Sequence, residues 1–382
     1  MPVITNVEDL RQLAKRKVPK AIFEYIDHGS YDQLSLNANR KDLDAVRFRQ
    51  RVLIDADNRS LATTMLGEKV SMPVAIAPTG LTGLMHGDGE MLAAKAAEAA
   101  GIRFTLSTMS ICSIEDIRSA TKAPFWFQLY VFKDRGFSES VIERAKEAGC
   151  SALFLTVDLP LRGQRHCDIK NGLQVPPRLT ARNAFDIATK PRWLASVLMG
   201  RRKSFGNVDH YLKNKGGIWA AGRWGGDNFD RSLSWNDVNW IRKLWPGKLV
   251  LKGILDPEDA KRAADMGADG IVVSNHGGRQ LDGTPGTATV LPRIADAVRD
   301  RLEVLFDGGI RSGQDVLKAL ALGARAVLLG RPVLWGLAAD GADGARAVLE
   351  LMRAELELAM TLAGMPTLAS INRALVKVPD SF

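Results

Sequence analysis

From residue 73 onward the chain repeats one pattern of apolar and polar positions. Ala94–Thr108, Glu143–Asp158, Ala260–Asn275 and Val316–Arg331 each carry an alanine-rich helical stretch, a Gly-Ala or Ala-Gly break and a short apolar run. Glycine just past a helix takes the left-handed conformation that stops it. A run of four to six apolar residues after the stop reads as a strand buried on both faces, and therefore parallel. Eight such runs occur: Pro73–Ala77, Ile102–Leu106, Phe125–Leu129, Ala152–Val157, Leu249–Leu251, Gly270–Val273, Val304–Phe306 and Ala326–Leu329. Helical spacers separate them except after the fourth. Eight strand–helix units in roughly 300 residues predict an α/β (β/α)₈ TIM barrel, with an open doubly wound sheet as the competing arrangement.

Ahead of the repeat, Val7 to Gly29 reads as one helical stretch capped by Asn6 or Thr5, and residues 40–72 as mixed structure wrapping the barrel. The expected organisation is a single domain over 1–382: an N-terminal helical cap (1–72), the barrel (73–382), and a long insertion (159–247) after strand four. Barrel loops are usually a few residues long, so that insertion is the outlier.

Barrel enzymes build their sites from the C-terminal ends of the strands. Here those ends carry Pro78-Thr79-Gly80, Ser107-Thr108, Gln128 with Tyr130, Thr156 with Asp158, Lys252, Ser274 with His276, Asp307-Gly308-Gly309, and Gly330-Arg331. Turn formers alone would not place a lysine, a histidine, a glutamine and a tyrosine there. The sixth end, Ser274-Asn275-His276-Gly277-Gly278-Arg279, puts a base and a cation three residues apart at the rim of a buried strand.

Composition narrows the class. Apolar residues make up 46% and charged residues 25% of 382, as in a globular enzyme with a substantial core. No apolar run approaches the ~20 residues that span a bilayer. The N-terminus lacks the basic start and apolar core of a signal peptide. Cys112, Cys150 and Cys167 have no metal-ligand spacing and are too few for a disulfide framework, so no metal is expected and a reducing compartment fits. The net charge of +9 is local: Arg178 to Lys215 holds nine basic and two acidic residues, which leaves the rest nearly balanced and gives no nucleic-acid footprint. The same segment contains Trp193-Leu194-Ala195-Ser196-Val197-Leu198-Met199 between Arg192 and Arg201-Arg202-Lys203. Too short to span, it suits a segment lying on a membrane surface, apolar side down and cations on headgroups. An inserted helix packed on the barrel or a neighbouring subunit is the alternative.

Asp307-Gly308-Gly309-Ile310-Arg311 and Gly330-Arg331 follow strands seven and eight, where glycine-rich backbone and arginines cradle phosphate in such barrels. A phosphorylated cofactor then lies across the mouth. Thr79, Ser107, Gln128, Thr156 and Ser274 offer neutral hydrogen bonds to a heterocycle, and Lys252 a positive charge. That suits a flavin, whose ring becomes anionic on reduction; pyridoxal phosphate on Lys252 is the competing reading.

The run Ser274–Asp282 resembles the signature of the FMN-dependent 2-hydroxy acid dehydrogenase/oxidase family, as do Tyr25, Ala77–Gly80, Gln128–Tyr130, Asp158 with Arg165, Lys252-Gly253 and Asp307–Arg311. Gly163–His166, Asp168–Gly172 and Ser107–Ile114 are most similar to the bacterial respiratory, membrane-associated L-lactate dehydrogenases of that family. The resemblance implies FMN as cofactor and L-lactate or a similar small L-2-hydroxy acid as substrate, oxidised to the 2-oxo acid, with a quinone or cytochrome as electron acceptor. It also implies a homotetramer at the cytoplasmic face of the inner membrane. It makes His276 the base, paired to Asp158; Arg165 and Arg279 the carboxylate holders; Tyr25 and Tyr130 hydrogen-bonding partners of carboxylate and hydroxyl; and Lys252 the cation at the flavin N1/O2 edge. Oxidases of the family tend to have alanine where Gly80 stands. A soluble 2-hydroxy acid oxidase and a mandelate-type dehydrogenase are the alternatives. Arg162 departs from the family's small or aliphatic residue near the substrate side chain, and is expected to point outward.

Overall fold

The computed structural model describes residues 3–55, 57, 59–173, 180–212 and 217–379. Eight parallel strands close into a barrel: β1 (Val74–Ile76), β2 (Arg103–Ser107), β3 (Trp126–Leu129), β4 (Ala152–Thr156), β5 (Lys248–Ile254), β6 (Gly270–Val273), β7 (Glu303–Phe306) and β8 (Ala326–Leu329). β8 pairs with β1 through Val327–Val74, Leu328–Ala75 and Leu329–Ile76, so no edge is left. All eight apolar runs are strands, and closure decides against the open sheet.

The barrel interior is packed by Ala75, Trp126, Phe154, Val250, Val272, Leu305 and Leu328, with Trp126 stacked on Phe154 at 5.0 Å. A hairpin of Thr63–Met65 and Glu68–Val70 plugs the end where the strands begin. Met65 and Val70 join the interior cluster, and Glu68 accepts the indole hydrogen of Trp126 at 2.9 Å. The opposite end stays open for chemistry.

The N-terminal stretch differs from the single helix expected. It forms α1 (Val7–Lys17) and α2 (Lys20–Asp27), broken at Val18-Pro19, because proline disfavours helical backbone in the residue before it. Asn6 caps α1 by accepting from the Asp9 amide at 3.0 Å. α2 ends at the barrel mouth, where Tyr25 and Ile26 line the cavity, and α3 (Leu34–Ala45) reaches the loop after β6 through Asn39. The insertion is largely helical, including Ala181–Ala188, Pro191–Met199, Gly217–Asn228 and Trp235–Leu244. Of the basic segment, Arg178, Lys213 and Lys215 lie outside the described residues. Among the described residues no helix is long and apolar enough to cross a membrane.

Candidate active site

The strand ends, α2 and the loops above them enclose a cavity of about 1140 Å³ including its open mouth, of the size small-molecule and cofactor sites take. Tyr25, Pro78, Thr79, Gly80, Ser107, Tyr130, Arg165, Lys252, His276, Arg279, Asp307, Gly308, Gly309, Arg311, Gly330 and Arg331 all line it. Asp158, Gln128, Thr156 and Ser274 sit just behind, each bonded to a neighbour in this site.

His276 is held from two sides. Its Nδ1 lies 2.9 Å from Asp158 Oδ1 and its Nε2 3.4 Å from the Tyr130 hydroxyl. A carboxylate can only accept, so Nδ1 carries the hydrogen and Nε2 is the lone-pair nitrogen facing Tyr130. Burial works to raise the Asp158 carboxyl. The charge and hydrogen bond of His276, with the charge of Lys252, outweigh it and hold Asp158 below the usual carboxylate range. Burial and Asp158 push the Tyr130 phenol up, so it stays protonated as a donor.

The backbone explains this aim. His276, Gly277 and Gly278 run consecutively through left-handed φ of 58°, 64° and 71°. Only the histidine carries the Cβ strain there, a cost of ~1–2 kcal/mol. The glycines are forced by neighbours: a Cβ on Gly277 would meet Arg331 Nη1 at 2.7 Å, and one on Gly278 the Leu36 amide of α3 at 2.4 Å. The His276 amide donates to Ser274 Oγ at 3.0 Å, and so does Lys252 Nζ at 2.8 Å. β5 carries an irregularity between Lys252 and Ile254. A Cβ on the intervening Gly253 would meet Asp158 Cβ and Cγ at 2.6 Å, so that glycine makes room for the acid.

Lys252 Nζ lies 2.9 Å from Asp307 Oδ2. Burial opposes its charge, but Asp307 and Asp158 prevail and raise it above the ordinary lysine value. The pair keeps a fixed ammonium at the cavity floor. Asp307 Oδ1 is buried without a donor among the described residues, an acceptor suited to a hydroxyl of a bound polyol chain. Ser107, Gln128 and Thr156 form one chain: Ser107 Oγ donates to Gln128 Oε1 at 3.0 Å, and Gln128 Nε2 to Thr156 Oγ1 at 2.9 Å.

The arginines fall into two groups. Burial and Arg165 pull Arg279 down to about 10, burial and Arg40 pull Arg311 down to about 10, and Arg331, pressed by burial, Arg279 and Arg311, falls well below its ordinary value. Crowded, desolvated guanidiniums of this kind call for anions. Arg311, stacked on Trp335 at 4.6 Å, and Arg331 flank Gly330, whose added Cβ would meet nothing nearer than 4.0 Å. This room and charge fit a phosphate, so the residues present fit FMN from phosphate cradle to ring. Arg331 also donates to the carbonyls of Ile26, Gly277 and His28, tying α2 to the His276 loop. At the substrate end, Arg279 donates to Tyr25 O at 2.6 Å and lies 4.9 Å over the Tyr25 ring. Arg165 is 3.7 Å from Asp168, and its Nε has no partner among the described residues.

Arg162 meets the expectation of an outward position only in part. It is exposed yet lines the cavity beside Met109, Leu159 and Phe229. Gly308 and Gly309 gain a reason beyond phosphate: Cβ atoms there would meet Thr287 Oγ1 at 2.6 Å and Asn39 O at 2.4 Å.

Three residues to which the sequence alone assigns no individual role hold the site in place. Asn39 of α3 exchanges two 2.8 Å hydrogen bonds with Asn275, next to His276. Gln280 bridges the loops after β4 and β6, donating to Asp158 O at 3.0 Å and Leu161 O at 2.9 Å and accepting from the Gly163 amide at 3.2 Å. Phe229, from the insertion, packs edge-on to Tyr130 at 5.6 Å. Their signals are those of ordinary polar or apolar residues, visible only once distant segments meet.

A closed (β/α)₈ barrel with a histidine–aspartate pair, a buried lysine and crowded arginines at one mouth has the groups a flavin-dependent oxidoreductase requires. Residues 14–378 match the family described as FMN-dependent dehydrogenase, and the chain belongs to it. It is 48% identical over 373 residues to an L-lactate dehydrogenase of Acinetobacter baylyi, covering 97% of each chain. It is 49% identical over 379 residues to one of Vibrio parahaemolyticus, covering 99% of this chain and 100% of the other. Among solved structures it is similar to the monotopic membrane protein (S)-mandelate dehydrogenase, with a TM-score of 0.94 and 37% identity over 98% of this chain and 100% of that one. Mandelate oxidase bound to (S)-4-hydroxymandelic acid superposes with a TM-score of 0.85 at 39% identity, covering 98% and 99%.

Proposed function

We propose that this FMN-dependent enzyme oxidises L-lactate, or a similarly small L-2-hydroxy acid, to the 2-oxo acid. The observation that carries this is the lone-pair Nε2 of His276, backed by Asp158 on the opposite nitrogen and facing a cavity with two carboxylate-binding arginines. FMN, when bound, supplies the acceptor for the electron pair. Arg165 and Arg279 bind and orient the substrate carboxylate, with Tyr25 bridging them through its ring. Tyr130 donates to the substrate hydroxyl. His276 Nε2 takes the proton, and Asp158 stabilises the imidazolium that results. Lys252, kept charged by Asp307, offsets negative charge at the ring edge. The L-lactate dehydrogenase relatives support the small substrate, and Met109, Leu159 and Phe229 give it an apolar wall.

The acceptor is a respiratory one reached at a membrane surface. Phe185, Leu198 and Met199 are 73%, 63% and 78% exposed on the two short helices of the basic segment. Such apolar residues flanked by Arg182, Arg192 and Arg201 fit an interfacial contact with anionic lipid. Anaerobic mixing with L-lactate should bleach the flavin absorbance within seconds. A flavin left oxidised by L-lactate but bleached by mandelate would replace the substrate assignment, and fast peroxide release in air would replace the acceptor.

A further inference from the structure

A second cavity of about 960 Å³ lies between the end of α1, the exposed helix Pro191–Met199 and the kinked helix Arg331–Leu362. Its apolar wall is Met85, Pro191, Trp193, Ala338 and Ala339. Both of its inner walls start in the active site. The loop after β1 leaves the flavin cavity at Gly80 and reaches this one at Met85 and His86. The helix after β8 lines the flavin cavity at Leu334 and this one at Ala338, four residues or ~6 Å further along the axis. Its outer wall, Pro191–Met199, is the helix that presents Leu198 and Met199 to solvent.

Charge argues about the occupant. Lys17 Nζ is taken by the carbonyl of Ala339 and by Asp340 Oδ1 at 3.4 Å, and Lys190 Nζ by the carbonyl of Arg16 at 2.7 Å. With both lysines engaged, the charged groups lie at the rim and the walls between them stay apolar. His86 Nδ1 lies 2.9 Å from the Gly87 carbonyl, which can only accept, so the lone-pair Nε2 sits on the wall beside Gly341. Among the described residues the guanidiniums of Arg16 and Arg192 make no hydrogen bond across this rim. Apolar walls with a few polar groups at the edge suit a neutral aromatic ring bearing carbonyl oxygens.

We propose that this cavity is the docking site of the lipid-soluble quinone that reoxidises the enzyme, an inference that rests on the function proposed above. Oxidation of the 2-hydroxy acid releases two electrons and two protons as its C–H and O–H bonds break and the C=O bond forms. The quinone takes up two electrons and two protons, and its two carbonyls become the hydroxyls of a hydroquinone. Arg16 and Arg192 meet the negative charge that grows on its oxygens, and His86 relays protons from water. Leu334 and Ala338, one helical turn apart, connect the two cavities along a single helix.

The test uses FMN-loaded enzyme and a short-chain ubiquinone. Quinone should quench tryptophan fluorescence saturably, and the saturable part should vanish in Trp193→Phe. Ser196→Phe, which fills the cavity from the exposed helix, should raise the KM for quinone at least tenfold. It should leave anaerobic flavin reduction by L-lactate and turnover with a soluble dye unchanged. His86→Gln should lower kcat with quinone alone. If L-lactate bleaches the flavin but quinone gives no saturable quenching, or Ser196→Phe leaves the quinone KM unchanged, the site assignment is wrong while the function stands. Quenching by short-chain phosphatidylglycerol in place of quinone would make the cavity a lipid-headgroup site. A flavin that L-lactate does not reduce would instead overturn the function.

Discussion

At the scale of single residues, the site separates groups that do chemistry from groups that aim them. In the proposed mechanism His276 belongs to the first kind, because its free nitrogen faces the cavity. Asp158 belongs to the second, touching only the far side of the ring. Replacing His276 with Gln keeps a polar group but removes the titrating base. Flavin reduction by L-lactate is then expected to fall ~10²–10⁴-fold, the usual contribution of a positioned base. Flavin absorbance should stay, since no cofactor contact depends on the imidazole. Stopped-flow reduction of the variant checks this, and near-normal reduction would move the base elsewhere. Arg162 carries a second prediction at this scale. Arg162, Arg165 and Arg279 share one nearby acid, Asp168, whose carboxyl burial raises even against their combined pull. A monocarboxylate leaves one of the three cations unmatched. Arg162→Leu is therefore expected to improve kcat/KM for longer aliphatic 2-hydroxy acids several-fold over lactate, and to weaken any turnover of 2-hydroxy diacids. An unchanged substrate profile would place Arg162 in solvent.

At the scale of elements, α3 matters more than its position outside the barrel suggests. Asp282 accepts from the amides of Ser35 at 2.9 Å and Asp32 at 3.1 Å, fixing the start of the helix to the His276 loop. Asn39 accepts from the Thr287 amide at 3.1 Å as well as pairing with Asn275. Asn39→Ala leaves buried donors and acceptors of two loops unmatched, at ~1–3 kcal/mol for a stranded group. A drop of that order in holoenzyme stability, with slower flavin reduction, is the expected result of denaturant titration and stopped flow. Unaltered stability would mean that water fills the gap. These contacts also show what a sequence can and cannot reveal. The eight strands are legible because each is a continuous apolar run between a glycine stop and a polar end. His276, Arg279, Lys252 and the paired glycine turns are legible because residue type and strand-end placement coincide. Asn39 is not, since an asparagine in a helix carries no signal until α3 is brought beside the loop after β6; Gln280 lies within the Ser274–Asp282 run, but its bridging contacts appear only once the β4 loop is beside it. The break at Pro19 is masked because apolar residues continue at helical spacing through Ala21–Ile26.

At the scale of the whole molecule, the charge pattern couples folding to the cofactor. Arg279, Arg311 and Arg331 are crowded in one desolvated region and lowered by burial and by one another. Folding without an anion places these cations together uncompensated, so a phosphate monoester in the cradle stabilises the native state and not the unfolded one. A ligand held a thousandfold above its dissociation constant adds ~4 kcal/mol by mass action. Removing FMN should lower the Tm by several degrees. Sulfate should restore part of that loss where chloride of equal ionic strength does not, because a tetrahedral dianion shares the charge and shape of the phosphate that Arg311 and Arg331 suit. Equal melting of apo- and holoenzyme would contradict this coupling. The buried Lys252–Asp158 centre sets the pH limits. Asp158 is lowered, so its contribution is complete above the unfolded carboxylate value of ~4 and is lost as pH falls through its folded value. Lys252 is raised, so its contribution is complete below ~10.4 and is lost as pH rises through its folded value. A stability plateau across neutral pH follows, with the acid limb steepened by every other lowered carboxylate. The sulfate effect should ride on that plateau unchanged from pH 6 to 8, because guanidinium groups keep their charge in proteins and sulfate does not titrate there. A sulfate rescue that varied strongly over that range would point to a histidine, not the arginines, as the group that senses the phosphate.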